Sequence, residues 1–304
     1  MLIGFAIIAV VIGAGYLVAR IDLLGPSAQQ VMSRLVFFVL LPCLLFTTTA
    51  TADLHRIFSS VLPISAISAI VAAGVAIGLA LLWRRSAPEA TVAGLGAGYA
   101  NANNIGLPVS AYILGDATSS VPIILLQTIV FSTVALTVLD VTTSGRASVG
   151  RLLLQPVRNP LIIGSLLGLI LNLLGIRLPD PVLEPFHLVG AAAVPVVLLS
   201  FGISLRGRRP LAPGSDRRLV LVATAAKVVL MPIVAWLLGR FAFGLDGHAL
   251  FAVVVLAALP TGQNVFNYAQ RYGRGVVLAR DVVLLTTALS IVVMIVIAAL
   301  LAPG

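Results

Sequence analysis

Apolar residues run through this chain in ten long blocks separated by short polar connections. A membrane-spanning helix needs about 20 apolar residues, and ten segments reach that length. They cover 2–19, 31–51, 57–83, 91–114, 119–141, 158–175, 186–205, 218–243, 248–271 and 278–301. The longest connection, Thr142 to Val157, lies between the fifth and sixth segments. No connection is rich enough in charge or Gly/Ser to form a separate soluble domain. The pattern predicts an all-α integral membrane protein with ten transmembrane helices.

Two segments break their own pattern. In the fourth, the apolar run from about Thr91 to Leu114 contains Asn101-Ala102-Asn103-Asn104-Ile105-Gly106-Leu107-Pro108. In the ninth stands Pro260-Thr261-Gly262-Gln263-Asn264-Val265-Phe266-Asn267. Backbone without helical partners survives at bilayer depth only where it is buried in protein or lines a cavity, and each carboxamide must also be satisfied. One reading is a proline kink whose asparagines tie neighbouring helices together. The other is a discontinuous helix whose broken middle binds a ligand. Paired interruptions at corresponding places in two halves are a sequence pointer to such a site. A break leaves half-helix N-termini with free N–H groups and about half a positive charge, which suits an anion.

Composition agrees with the membrane reading. The 304 residues are 60% hydrophobic and 10% charged, against about 25% charged in a soluble domain. Net charge is +9, and the arginines lie in the short connections, so topology explains them better than nucleic-acid binding. Connections after odd segments carry fifteen arginines: Arg20, Arg34, Arg84, Arg85, Arg146, Arg151, Arg158, Arg206, Arg208, Arg209, Arg217, Arg218, Arg271, Arg274 and Arg280. Those after even segments carry Arg56, Arg177 and Arg240. The positive-inside rule places the odd connections in the cytoplasm and both termini outside, in a multi-pass protein of the cell membrane. The run 2–19 has no basic leader or small-residue cleavage site and reads as a first helix. Cys43 allows no internal disulfide. His55, His187 and His248 fall near the outer surface, and no Cys/His spacing indicates a metal.

Ten segments suggest two repeats of five, the second inverted because five is odd. Pro42 matches Pro195 at an offset of 153, Asn104 matches Asn264 at 160, and Leu125-Leu126-Gln127-Thr128 matches Leu284-Leu285-Thr286-Thr287 at 159. The expected organisation is a first repeat over 1–141, a short cytoplasmic linker over 142–157 and a second repeat over 158–304.

The substrate-binding residues expected from the two breaks are Asn101, Asn103, Asn104, Pro108, Pro260, Gln263, Asn264 and Asn267, supported by Gly106, Gly262, Gln127 and Lys227. Lys227 lies about ten residues into the eighth segment, roughly 15 Å from its start, too deep for easy snorkelling. It would hold carbonyls freed near Pro232, compensate an anionic substrate, or titrate during transport. Asp140 and Asp281 fall near segment ends and read as interfacial. Tyr99, Tyr112 and Tyr268 flank the breaks and read as packing or interface anchors.

At these residues the chain resembles the auxin efflux carrier family, which includes the plant PIN-formed exporters and many bacterial members. That family shows an asparagine, a short apolar stretch and Gly-Leu-Pro in the fourth segment, as in Asn101 to Gly106-Leu107-Pro108. In the ninth it shows a proline, an asparagine four later, an alanine and Tyr-Gly, as in Pro260, Asn264, Ala269 and Tyr272-Gly273. The resemblance implies inverted five-helix repeats, scaffold and transport domains that each mix helices from both repeats, helices four and nine broken and crossing, elevator-type alternating access and transport of an organic anion. Two departures matter. The central connection is short, so regulation by a long cytosolic loop is not expected. Bacterial relatives carry dicarboxylates such as malate and malonate as well as auxin-like acids, so auxin is not carried over.

The leading expectation is a secondary active transporter of small organic carboxylates. Its partners would be the anion, protons or sodium as coupling ion, and membrane lipid, with a homodimer left open and no cofactor, metal or nucleic acid. A sodium-coupled symporter of the bile-acid type shares a similar ten-helix plan, but no Asp or Glu stands within either broken stretch. An ion channel more often shows rings of pore-lining residues from symmetric subunits. An enzyme is disfavoured because serine, histidine and acidic residues do not gather at one depth.

Overall fold

The computed structural model describes residues 2–51, 60–144, 159–206, 211 and 216–301. Among them the secondary structure is helix and turn, plus one isolated antiparallel bridge. In chain order the helices are α1 (Leu2–Arg20), α2 (Ala28–Thr51), α3 (Val61–Leu82), α4 (Ala87–Gly98), α5 (Leu107–Tyr112) and α6 (Thr118–Thr143). There follow α7 (Pro160–Leu173), α8 (Asp180–Ser204), α9 (Arg217–Ala242), α10 (Gly247–Ala257), α11 (Asn264–Tyr272) and α12 (Val276–Leu301). Each of the ten apolar segments falls on helix. Six helices, α2, α3, α6, α8, α9 and α12, are 22 to 26 residues long and apolar enough to cross a membrane. The fourth and ninth segments are interrupted, giving α4 and α5, and α10 and α11. From residue 145 on, the expected linker lies outside the described residues, as do His55, Arg56, Arg146, Arg151, Arg158, Arg208 and Arg209.

Local chemistry sets the helix ends. The Glu89 carboxylate accepts from the Ser86 backbone N–H at 3.2 Å and from Ser86 Oγ at 2.9 Å, a capping box that opens α4. Asn159 Oδ1 accepts from Leu161 N at 3.0 Å to start α7, with Pro160 as its first residue. Gly273 closes α11 in the left-handed region (φ 61°), and Arg274 N returns to Ala269 O at 3.1 Å.

Prolines explain three helix irregularities. A helical proline has no N–H to donate to the carbonyl four residues earlier. For Pro42, Pro108 and Pro232 those carbonyls belong to Phe38, Asn104 and Val228. Each is the middle residue of a π-helical turn, over Val36–Leu40, Ala102–Gly106 and Ala226–Leu230. The wider turn absorbs the ring without breaking α2 or α9.

Two compact units divide the described chain. One holds α1, α2, α5, α7 and α8; the other holds α3, α4, α6 from Pro122 on, α9, α10, α11 and α12. In the first unit α7 lies on α2 through Gly164 and Gly168, where a Cβ would strike the backbones of Pro42 and Phe46. This approach lets Thr49 Oγ1 donate to Ser165 O at 3.0 Å and Asn172 Nδ2 donate to Thr49 O at 2.9 Å. Gly168→Val is expected to cost about 2 kcal/mol by overpacking and to lower the thermal unfolding midpoint in detergent. Gly74→Ala, where a Cβ meets nothing within 4 Å, should not.

In the second unit α4 is approached closely on two sides, by α3 and by α12. A Cβ on Gly94 would meet Ile77, one on Gly96 would meet Val282, and one on Gly98 would meet Ala69 O. In α10 every residue from Leu250 to Ala257 is buried, which accounts for its being apolar on all faces.

Candidate functional site

The two interruptions meet within the second unit. After Gly98 the chain leaves the helix at Tyr99, whose ψ of 109° is extended. Ala100 and Thr261 form the antiparallel bridge. Asn101 N donates to Pro260 O at 2.7 Å, and Gly262 N donates to Tyr99 O at 3.0 Å. Gly262 is needed for this approach, because a Cβ there would lie 2.9 Å from the Tyr99 ring and 3.1 Å from Ala100 O.

Side chains from helices beyond the breaks complete the backbone pairing. Oriented by its hydrogen bonds, the Gln127 carboxamide donates to Ala100 O at 2.8 Å and accepts from Ala100 N at 2.9 Å. Thr286 Oγ1 accepts from Thr261 N at 3.0 Å. Thr261 Oγ1 in turn donates to Gly96 O, near the end of α4, at 2.5 Å. Extended backbone at this depth is therefore satisfied by protein groups, as an apolar surrounding demands.

A polar cluster adjoins the bridge. Ser132 Oγ lies 2.9 Å from Tyr268 Oη and 3.3 Å from Tyr99 Oη, and Asn264 Nδ2 donates to Tyr99 Oη at 3.3 Å. The rings of Tyr99 and Tyr268 meet edge to face at 6.4 Å. Asn264 is the first residue of α11, and Gln263 at its N-cap supplies no side-chain cap. The arrangement offers hydroxyl, carboxamide and helix N-terminal N–H donors with no carboxylate among these groups, a chemistry suited to an anion.

The expected residues divide between the two units. Asn101, Gly262, Pro260, Gln127 and Asn264 gather at or beside the bridge. Gln263 is half-buried at the start of α11, whereas Asn267 is exposed. Asn103, Asn104, Gly106 and Pro108 belong to the first unit, because the division falls between Ala102 and Asn103. The Oδ1 of Asn103 is buried and makes no hydrogen bond among the described residues. Lys227 is completely buried, and its Nζ donates to Ala257 O at 3.2 Å and to Met231 Sδ at 3.0 Å. The carbonyl it holds ends α10 and is not one of those freed near Pro232 in its own helix. Asp281 is fully buried and paired with Arg280 at 2.9 Å, and Asp140 accepts from Tyr272 Oη at 2.7 Å. Thr261 and Ser132 were not singled out, because single hydroxyls are common in apolar helices. The tyrosines at 99 and 268 read as packing, yet both contribute hydroxyls to the cluster.

A family model described as "Membrane transport protein" matches residues 2–148 and 142–298. The chain is 28% identical over 289 residues to a protein named "Putative malonate transporter" from Rhizobium meliloti (strain 1021), covering 91% of this chain and 88% of that one. It is also 28% identical over 296 residues to an "Uncharacterized transporter" from Methanothermobacter thermautotrophicus, covering 94% and 93% of the two chains. Identity to "Uncharacterized transporter YfdV" from Escherichia coli (strain K12) is 23% over 276 residues, covering 87% and 86%.

Proposed function

This chain belongs to the membrane transport protein family, the auxin efflux carrier type that its motifs resemble, and we propose that it is a secondary carrier of small organic carboxylates. The observation that carries this reading is the pairing of the two breaks. Their backbone groups are served by Gln127, Thr286 and each other, which leaves Asn264, Tyr99, Ser132 and Tyr268 beside the open N-terminus of α11 to hold a carboxylate. The name of the Rhizobium relative supports a dicarboxylate substrate.

The inverted five-helix repeat is part of the proposal. Gln127 in the fifth segment holds the backbone of the first break, and Thr286 in the tenth holds that of the second. The two positions are the pair matched in sequence at an offset of 159. Helices from both halves contribute to each compact unit, which supports alternating access by movement of the unit that carries the paired breaks. The arginine distribution supports cytoplasmic odd connections and outward termini. The absence of Asp and Glu from both broken stretches favours coupling to protons or to membrane potential over a dedicated carboxylate-lined sodium site.

A thermal-shift screen of the purified protein tests the substrate class. Malonate, succinate and acetate are compared with the neutral diamide malonamide. A carboxylate bound at 100 times its dissociation constant stabilises the fold by about 2.7 kcal/mol and raises the midpoint, while malonamide does not. Equal shifts for acid and diamide, or no accumulation of any stabilising acid in proteoliposomes, would overturn the reading.

A further inference from the structure

The half-helix α10 ends at Ala257 inside its unit, among residues that are all buried from Leu250 to Leu259. A helix end leaves its last four carbonyls without intrahelical donors and carries about half a negative charge. Three of these carbonyls are served by the chain that follows. Ala258 N donates to Val254 O at 3.0 Å and to Val255 O at 3.1 Å, and Leu259 N donates to Leu256 O at 3.4 Å. The fourth, Ala257 O, receives Lys227 Nζ.

Lys227 reaches it from the π-turn that Pro232 produces in α9, with no exposed surface. Among the described residues its ammonium has no carboxylate partner. Its second neighbour is the Met231 thioether at 3.0 Å. An ammonium in apolar surroundings is expensive. What offsets the cost here is the negative end of α10 and a carbonyl that would otherwise have no donor. The corresponding end of α4 is served by neutral groups: Thr261 Oγ1 donates to Gly96 O and Gly262 N to Tyr99 O. The cation is particular to α10.

Half-helix C-termini and unwound carbonyls at the middle of a bilayer are where coupling cations are coordinated in carriers with broken helices. We propose that the Lys227 ammonium is a tethered cation standing at such a position, so that the carrier runs without bound sodium. This rests on the carrier reading above. Lys227 acts through Ala257 and the break that follows it, so it is a positioning residue.

The test compares the parent with Lys227→Gln, Lys227→Met and Lys227→Arg. The glutamine can still donate to Ala257 O but brings no charge, so it keeps a variant that folds. Carboxylate uptake into proteoliposomes is measured in sodium chloride and in choline chloride at equal ionic strength. Parent and Lys227→Arg are expected to transport equally in both. Lys227→Gln is expected to lose about tenfold in choline, the order of the difference between a charge-assisted and a neutral hydrogen bond, and to recover in sodium. Thermal unfolding of Lys227→Met and Lys227→Gln is read in the same two salts, with a sodium-specific rise expected for both variants and none for the parent. Equal destabilisation in both salts would overturn the proposal, as would sodium-dependent uptake by the parent. If the parent carries no carboxylate, the carrier reading fails, while the sodium-specific thermal shift of the variants still decides whether Lys227 stands in for a cation.

Discussion

Gln127→Leu is expected to abolish transport and to lower the thermal unfolding midpoint more than any other single change at the breaks. The Gln127 side chain is 3% exposed, and its carboxamide serves both backbone groups of Ala100. Leucine of similar volume leaves that N–H and that carbonyl buried without partners. Each orphaned group costs about 1–3 kcal/mol, so the pair costs roughly 2–6 kcal/mol, a large fraction of ordinary stability. Gln127→Glu separates the two contacts, since a carboxylate can accept from Ala100 N but cannot donate to Ala100 O. The counterpart Thr286→Val removes one acceptor, that of Thr261 N, and should cost about half as much. The ordering of unfolding midpoints, parent above Thr286→Val above Gln127→Leu, is the measurement. If Gln127→Leu unfolds and transports like the parent, the bridge is held by the Asn101–Pro260 and Gly262–Tyr99 bonds alone.

The helices were readable because a bilayer imposes length. Blocks of about 20 apolar residues have few other uses, and the observed helices lie on those blocks. The breaks were readable for a related reason, since asparagine, glycine and proline are costly at that depth and appear in two clusters. What the breaks do to each other was less readable. The Ala100–Thr261 bridge joins backbone to backbone, and backbone groups leave no mark on residue type. For the same reason Lys227 stood out as a charge, but nothing in the chain pointed to Ala257 as its acceptor. Gln127 and Thr286 are visible as a sequence echo, while their grip on the two break backbones depends on how the helices pack. The eight expected site residues share two stretches, yet Asn103, Asn104 and Pro108 sit in one unit and Asn101, Pro260, Gln263, Asn264 and Asn267 in the other. Proximity along the chain carried no information about a division that falls between adjacent residues.

Asn264→Ala separates binding from folding. Asn264 is half-buried, and its Nδ2 donates to Tyr99 Oη, which keeps Ser132 as a partner when the carboxamide is gone. The fold therefore loses little, because no buried group is left without a partner. A carboxylate at the start of α11 would lose one donor to a charged acceptor, worth about 1.5–3 kcal/mol. That corresponds to a rise of roughly 10- to 150-fold in the dissociation constant. Asn267→Ala, on the exposed side of the same helix, should bind like the parent. Titrating the stabilising acid against both variants and the parent by thermal shift gives the three affinities. A parent-like affinity for Asn264→Ala, with its midpoint lowered instead, would make Asn264 a strut between α11 and Tyr99. The carboxylate would then have to sit elsewhere on the paired breaks.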